Sequence, residues 1–377
     1  MPSKVQFDAI GSGYDPDPSR SLSLRAEAYT DPVWFNIDQR DIVAKSWQWV
    51  CHAEKLRVPG TFTTTQIAGH PIAIIRDEQG VLRAFYNVCK HRAHPVLVGE
   101  GNVRRIVCPY HAWRYRLDGQ LAGAPHTEDL KDFATSDVRL SEVGVEEFCG
   151  FVFVNLDRSS ASLRALSGAL ESEFRHWAPE IEQLTLGQRL TYEIKSNWKN
   201  VVDNFLECYH CPVVHKDFCT LVDMKTYKVK TYGIYSSHMA EAGRTENSAY
   251  DTSTAKVRTH AVWWLWPNTC LMRYPGRSSM IVLHIIPVAV DRTLETYDFF
   301  LETPEPDEPE QKAIHYLDTV LQAEDIALVE NVQRGMSTPA FTQGRIVYDP
   351  QGSGKSEHGL HHFHGLVLEA YARASRV

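Results

Sequence analysis

The chain has 377 residues, of which 43% are hydrophobic and 11% aromatic, enough to bury the cores of two or three domains. Its 47 acidic and 39 basic residues give a formal net charge of −8, which argues against a nucleic-acid partner and a polybasic membrane surface. The N-terminus lacks the apolar core of a signal peptide, and no apolar run reaches the about 18 residues of a membrane helix. We therefore expect a cytoplasmic protein whose eight cysteines are reduced thiols or metal ligands.

Three regions follow one another along the chain. Residues 1–45 end in an amphipathic stretch and are predicted to form a helical preamble. Residues 46–157 contain short β-branched runs separated by turn residues, which is typical of an antiparallel all-β domain. Residues 158–377 combine strand-like runs with a long helix predicted near 311–334, which Gly335 should stop. The predicted fold class is α+β.

Two Cys and two His in the β region form the first predicted metal site. Cys89-x-His91 is followed, after sixteen residues, by Cys108-x-x-His111. Thiolates suit iron–sulfur clusters, and replacing two thiolates by imidazoles on one iron raises its reduction potential. Structural zinc is the alternative, although zinc sites usually pair Cys with Cys and His with His. The mixed pairs favour a [2Fe–2S] cluster.

A second set of candidate ligands lies in NWKNVVDNFLECYHCPVVH, which contains Glu207, His210 and His215. On one regular helix the two His side chains would point about 140° apart, because each residue turns the chain by about 100°. Pro212 is expected to end that helix and let His215 turn back toward His210. Two imidazoles and one carboxylate leave open positions on Fe(II) for oxygen and substrate.

Two questions stay open at this second site. A thiolate zinc site built from Cys208, Cys211 and Cys219 competes with the iron interpretation. The third iron ligand should be a carboxylate far downstream, where Glu324 and Asp325 both flank the apolar stripe of the predicted helix. Helix geometry alone does not choose between these two carboxylates.

The two segments together resemble Rieske oxygenases, the family of ring-hydroxylating oxygenase alpha subunits. The similarity rests on C-x-H-R, C-P-Y-H-A-W, N-W-K, D-N-x-x-E-x-Y-H and E-D-x-x-L-V-E. It implies an N-terminal all-β Rieske domain and a C-terminal helix-grip catalytic domain, in which an antiparallel sheet packs against helices. It implies the following ligands: Cys89, His91, Cys108 and His111 for a [2Fe–2S] cluster, and His210, His215 and Asp325 for a mononuclear Fe(II).

The resemblance also implies how electrons reach the iron. Glu207 stands where the family usually has Asp, and it would relay electrons from the cluster of a neighbouring subunit in a ring-shaped homotrimer. No glycine-rich nucleotide motif follows a strand, so the electrons for O2 activation should come from another protein. That partner is expected to be an NADH-dependent reductase carrying flavin and its own [2Fe–2S] centre. Lys90 and Ala93 replace the Pro and Gly of many relatives.

Blocks such as RAFYNVC, GFVFVN, DNFLECYHC and GSGKSEHG resemble the carnitine monooxygenase and betaine demethylase branch. That resemblance implies hydroxylation beside a quaternary nitrogen, with C–N cleavage of the unstable product. Aromatic faces are expected around such a cation. The candidates are Trp263, Trp264, Trp266 and Tyr274.

Two other functions stay open. One is ring hydroxylation, dihydroxylation or O-demethylation of an aromatic acid, for which Arg273 or Arg277 would supply the positive charge. The other is a non-enzymatic protein, either a Rieske electron carrier or a zinc-stapled structural protein. A carrier needs only about 100 residues around its cluster, so the long second ligand-bearing region favours an enzyme.

Overall fold

The computed structural model describes residues 4–244 and 247–375. The chain forms two compact units, one from Val43 to Leu166 and the other combining residues up to Ile42 with the chain from Ser167 onward. The N-terminal preamble is therefore part of the second unit. The boundaries between the units follow residues 42 and 166, whereas the sequence placed them after residues 45 and 157. No helix in the described ranges is long and apolar enough to cross a membrane.

Three short helices open the chain, and a π-helical turn at Asp38–Ile42 follows them. They are α1 (Lys4–Ile10), α2 (Glu27–Thr30) and α3 (Pro32–Ile37). Asp38 is fully buried, where its carboxylate accepts hydrogen bonds from the Trp198 indole at 2.9 Å, the Tyr371 hydroxyl at 2.7 Å and the Lys199 ammonium. A buried charge is tolerated only when it is paired in this way. The network ties the preamble to distant parts of its own unit.

The unit Val43–Leu166 consists of three antiparallel sheets with strand orders β1–β10–β9, β4–β3–β2–β5 and β6–β7–β8. Its elements are β1 (Gln48–His52), β2 (Thr61–Ile67), β3 (His70–Arg76), β4 (Leu82–Tyr86), β5 (Glu100–Asn102), β6 (Ile106–Val107), β7 (Arg114–Tyr115), β8 (Leu121–Gly123), β9 (Gly144–Phe148), β10 (Phe151–Asn155) and α4 (Leu163–Leu166). The predicted all-β domain is confirmed. Its loops β4–β5 and β6–β7 carry the two Cys/His pairs.

The second unit contains one seven-stranded antiparallel sheet of order β11–β17–β16–β15–β14–β13–β12, together with helices. The helices are α5 (Leu170–Trp177), α6 (Trp198–Phe205), α7 (Cys211–Val214), α8 (Phe218–Leu221), α9 (Glu308–Tyr316), α10 (Gln322–Met336) and α11 (His358–Ala374). The strands are β11 (Thr185–Ile194), β12 (Lys228–Tyr232), β13 (Tyr235–Glu241), β14 (Thr259–Leu265), β15 (Thr269–Arg273), β16 (Met280–Ala289) and β17 (Arg292–Leu301). The predicted α+β fold class is confirmed.

Side chains from both layers form the core of this unit. Val262 and Trp264 from β14 join Trp198 of α6, Val329 of α10 and Phe363 of α11 in one buried cluster. Val262 and Trp264 are two residues apart, so they share one face of their strand. The sheet face toward these helices is therefore the one that borders the second metal site.

The single long helix predicted near 311–334 is divided into two helices in the structure. α9 and α10 are separated by a π-helical turn at Leu317–Leu321, and α10 runs to Met336, past Gly335. A π turn inserts one residue into the helical repeat, which changes the face that later side chains present. The apolar spacing of the sequence predicts a helix here but does not reveal the inserted residue.

Candidate active site and metal centres

Two loops of similar backbone carry the four candidate cluster ligands. In each loop the Cys carbonyl accepts a hydrogen bond at 3.0 Å from the alanine N–H four residues later, from Ala93 to Cys89 and from Ala112 to Cys108. Both alanines lie in the left-handed region, with φ of 57° and 56°. Such a conformation costs an alanine about 1 kcal/mol, which explains why glycine suits these positions. Ala93 adopts the left-handed conformation of this turn although it is not a glycine.

The four side chains divide into a buried and an exposed pair. Cys89 and Cys108 are 3% and 2% exposed, and the Tyr115 hydroxyl lies 3.3 Å from the Cys89 sulfur. The imidazoles of His91 and His111 are exposed, with their Nδ1 atoms 3.1 Å apart. Paired thiols inside and paired imidazoles outside form the donor set of a Rieske cluster.

The second site forms where α6 has already ended. α6 stops at Phe205, and His210 and His215 stand at the two ends of the one-turn helix α7. The expectation that Pro212 ends a helix is wrong, because Pro212 lies in the first turn of α7. A proline is well tolerated there, since the first turn needs no N–H donor. One helical turn thus separates the two imidazoles.

Three donor atoms converge at this point. The Nε2 atoms of His210 and His215 are 3.1 Å apart, and Oδ1 of Asp325, on α10, lies 3.6 Å and 3.0 Å from them. The Asn204 amide donates a hydrogen bond to the same oxygen at 2.7 Å. Such a set can share one metal ion, and it leaves the remaining coordination positions to O2 and substrate.

The other nitrogen of each imidazole faces a different carboxylate. Glu207 lies 2.5 Å from Nδ1 of His210, and Glu324 lies 2.7 Å from Nδ1 of His215. Burial lowers the pKa of His215, but hydrogen bonds and negative charge from Asp325 and Glu324 outweigh burial and raise it to about 9. Carboxylates behind metal-binding imidazoles orient the rings and strengthen their basicity. The structure thus brings Asp325 to the donor set and Glu324 behind it.

Cysteines near the site do not form a thiolate cluster. Cys208 and Cys211 are joined by a disulfide, and Cys219 has a free thiol. This pairing corrects the expectation that all eight cysteines are reduced thiols or metal ligands. Because a disulfide sulfur carries no thiolate charge, the three-cysteine zinc site does not fit.

A cavity opens over the three donors, with about 680 Å³ of space between its walls including the mouth. The ring-bearing side chains in its wall, besides the two donor imidazoles, are Phe205, Phe218, Tyr227, His260, Tyr274 and Tyr297. Tyr274 is thus the one member of the predicted aromatic set that lines the cavity.

The three predicted tryptophans lie elsewhere in the core. Trp263 points to the other sheet face, where its ring packs against Phe174 at 5.3 Å. Trp264 and Trp266 pack against Phe363 of α11, at 5.5 Å and 5.9 Å between ring centroids. Trp264 shares its strand face with Val262, which lines the cavity, but it lies two residues further along. The aromatic wall is therefore built from other residues.

The cavity also holds polar groups that sequence patterns did not single out. Glu295 and Tyr297 line it from one face of β17, and Gln322 of α10 joins them. The Tyr297 hydroxyl donates to the Gln322 carbonyl at 2.7 Å, and the Gln322 amide donates to Glu295. Burial, with the nearby charge of Asp325, raises the pKa of Glu295 to about 8. The available signal was the alternation of β17, which places Glu295 and Tyr297 on one face and the other acid of the strand, Asp298, on the opposite face.

Both regions of the chain match known domains. Residues 46–134 match the Rieske [2Fe-2S] domain, and residues 181–373, just over half of the chain, match the catalytic domain of ring hydroxylating alpha subunits. The chain belongs to the Rieske ring-hydroxylating oxygenase family. It is an oxygenase, and its family implies a [2Fe–2S] cluster, a mononuclear iron, a small-molecule substrate and a reductase that supplies electrons.

Among individual proteins, the chain is 36% identical to the carnitine monooxygenase oxygenase subunit of Escherichia coli (strain K12), over 94% of this chain and 95% of that protein. It is 30% identical to the chloroplastic choline monooxygenase of Beta vulgaris, over 94% of this chain and 79% of that protein. A solved quaternary ammonium Rieske monooxygenase, studied for carnitine oxidation and inter-subunit electron transfer, superposes with a TM-score of 0.88. It shares 33% identity, over 95% of this chain and 98% of that chain.

Proposed function

We propose that this protein is the oxygenase component of a monooxygenase that hydroxylates a quaternary ammonium compound, the class that includes carnitine, the betaines and choline. Hydroxylation of a carbon bonded to the nitrogen gives an unstable product that loses its C–N bond. The observation that carries this proposal is the aromatic cavity opening directly over His210, His215 and Asp325. Aromatic faces attract cations such as quaternary ammonium groups.

The residues divide their roles as follows. Cys89, His91, Cys108 and His111 would hold the [2Fe–2S] cluster, and His210, His215 and Asp325 would hold the iron. The bound iron supplies O2 activation: one oxygen atom enters a C–H bond and the other leaves as water, with two electrons and two protons consumed. The aromatic wall positions the substrate, and Glu324 keeps the ring of His215 oriented.

Electrons come from NADH through a reductase carrying flavin and its own [2Fe–2S] centre, and the oxygenase works as a homotrimer. Glu207 relays electrons to the iron from the cluster of the neighbouring subunit. Two findings support this role: Glu207 contacts Nδ1 of His210, and the solved quaternary ammonium monooxygenase was studied for inter-subunit transfer.

An aromatic acid is a poorer substrate for this cavity. Such an anion would need Arg273 or Arg277, and neither guanidinium lines the cavity over the donors. The Arg273 guanidinium is committed to Glu180 at 2.5 Å and Ser278 at 3.1 Å. Arg277 pairs with Asp307 at 2.8 Å.

A single turnover tests the proposal without the reductase. Dithionite-reduced protein is exposed to O2 with one pool of carnitine, betaines and choline and a second pool of aromatic acids, and products are read by mass spectrometry. We expect an oxidised or dealkylated quaternary amine from the first pool. A hydroxylated or demethylated aromatic acid from the second pool, with the first unchanged, would overturn the substrate class and retain the oxygenase.

A further inference from the structure

Glu295 is a buried acid in the wall of the cavity over the iron-site residues. It lies on β17, is 2% exposed, and faces the same side of the strand as Tyr297. Nothing in the triad or in its hydrogen-bonded carboxylates requires an acid at this position. An apolar residue would pack here at lower cost, because burying a carboxylate costs several kcal/mol unless it is paired.

The hydrogen bonding of Glu295 is incomplete. In residues 4–244 and 247–375 its hydrogen-bond partner is the side-chain amide of Gln322. Tyr297 donates to the carbonyl of that amide at 2.7 Å, which turns the amide N–H groups toward Glu295. A carboxylate has about four acceptor sites. Glu295 therefore has acceptor sites left for a further hydrogen-bond donor or cation, which could reach it from the cavity.

No basic side chain in the described part of the chain lines the cavity. Its acidic residues are Glu207, Glu295 and Asp325. His260 also lines it, and burial lowers the pKa of His260 to about 3, so this imidazole carries no charge at neutral pH. The charge balance of the wall therefore favours a cation.

An iron(II) ion held by one carboxylate leaves net positive charge, so a cationic substrate beside it needs an additional anion. Glu207 is already bonded to His210. Glu295 is the acid that remains available. Burial raises its pKa to about 8, and a cation bound beside it favours its charged form. A zwitterion such as carnitine brings its own carboxylate, which would need a positive charge, and no Lys or Arg among the described residues lines this wall.

We infer that Glu295 is the counter-ion of the substrate's quaternary nitrogen, and that the substrate is a net cation, such as choline, and not a zwitterion. This inference rests on the proposed function and narrows its substrate class. Glu295 is the specificity-determining residue.

Anaerobic calorimetric titration of the intact holoprotein tests the inference with three ligands. They are choline, L-carnitine, and 3,3-dimethyl-1-butanol, the uncharged isostere in which carbon replaces the choline nitrogen. We expect choline to bind about tenfold or more tightly than either of the others, the difference expected for one charge-assisted contact. Equal binding of choline and its isostere, or tighter binding of carnitine, would overturn the inference.

Variants assign the preference to one residue. Glu295→Gln should weaken choline binding about tenfold or more and leave the neutral isostere within about twofold, while Glu295→Asp should retain most of the choline preference. Glu193→Gln is the matched control, because it removes the same charge from an exposed position on the neighbouring strand β11. Unchanged choline binding in Glu295→Gln would contradict the assignment.

The two levels of failure are distinguishable. If carnitine or a betaine binds best and is oxidised, the proposed function stands and the role of Glu295 is wrong. If no quaternary amine binds or turns over, the proposed function fails as well. If Glu295→Gln does not fold, the relative binding of choline, L-carnitine and the neutral isostere to the unmodified protein still tests whether the site prefers a net cation.

Discussion

Two adjacent carboxylates on α10 contact opposite nitrogens of one imidazole. Asp325 faces Nε2 of His215, on the side shared with His210, and Glu324 faces Nδ1. Adjacent helix positions differ by about 100° in direction, so the two acids separate around the ring. The structure thereby distinguishes two residues that helix geometry left equivalent, and the one on the donor side is Asp325, to which the family resemblance pointed.

We predict unequal effects for these two acids. Asp325→Ala should remove most of the mononuclear iron, because a ligand is lost. Glu324→Ala should weaken iron binding about 10- to 100-fold, because it removes only the support of His215. Iron per cluster after dialysis against a chelator series measures both. Equal losses in the two variants, or full iron in Asp325→Ala, would contradict these assignments.

Glu207 has a role beyond orienting His210 if it relays electrons. Glu207→Gln keeps an acceptor beside Nδ1, so both metals should remain bound while reoxidation of the reduced cluster by O2 and substrate slows by about tenfold or more. Glu324→Gln is the matched control, since it neutralises the carboxylate behind the other imidazole. Stopped-flow absorbance of the cluster gives the rates. Normal reoxidation in Glu207→Gln would exclude the relay.

The sequence motifs predicted the donor residues that the structure brings together at the metal site. They did not predict most of the residues that line the cavity. The two imidazole ligands lie five residues apart in one short segment, so His210, His215 and their neighbours could be selected from the sequence. Tyr227, His260 and Glu295 come from separate elements and meet only because the sheet closes over α10. Aromatic content near residue 264 pointed to core tryptophans, because composition does not reveal which part of a strand face is covered.

At the scale of elements, the strands were easier to predict than the helix details. β-branched runs and turn residues indicated the strands of both units, and pairing then followed antiparallel order. The sequence wrongly predicted a helix end at Pro212, because proline occurs in the first turn of a helix as well as after its last turn. The π-helical turn before α10 depends on tertiary packing that local periodicity does not contain.

Buried histidines on adjacent strands predict acid sensitivity. Burial lowers the pKa of His238 on β13 and of His260 on β14 to about 3. The unfolded chain binds these protons near pH 6.5 and the folded chain excludes them, so the stabilisation is complete above about pH 6.5 and declines as pH falls toward 3. At pH 5 each histidine should lower the free energy of unfolding by about 2 kcal/mol relative to pH 7.

Urea unfolding between pH 7 and 5 checks this expectation. His238→Gln should reduce the pH dependence of the unfolding free energy by about the contribution of one histidine. His176→Gln, at an exposed position on α5, is the control and should leave that dependence unchanged. The same pH slope in His238→Gln and the unmodified protein would contradict the buried neutral imidazole.

At the scale of the whole molecule, the cluster ligands and the iron ligands lie in different units of the chain. If electrons pass between subunits, coexpressing Cys108→Ser, which lacks the cluster, with His210→Ala, which lacks the iron, should restore about a quarter of wild-type activity in randomly mixed rings. Each variant alone should be inactive. Native mass spectrometry verifies the mixing. Inactive mixed oligomers would refute transfer between subunits.

The most direct test of the central claim is the stoichiometry of a single turnover. Preparations with graded iron content, including Asp325→Ala, are reduced and exposed to O2 with a quaternary amine. The cluster and the iron(II) each contribute one electron, so we predict about one oxidised amine per iron. Product rising in proportion to iron at His210, His215 and Asp325 supports the account. Product that is independent of iron, or absent at full iron and cluster occupancy with every quaternary amine tested, would contradict it.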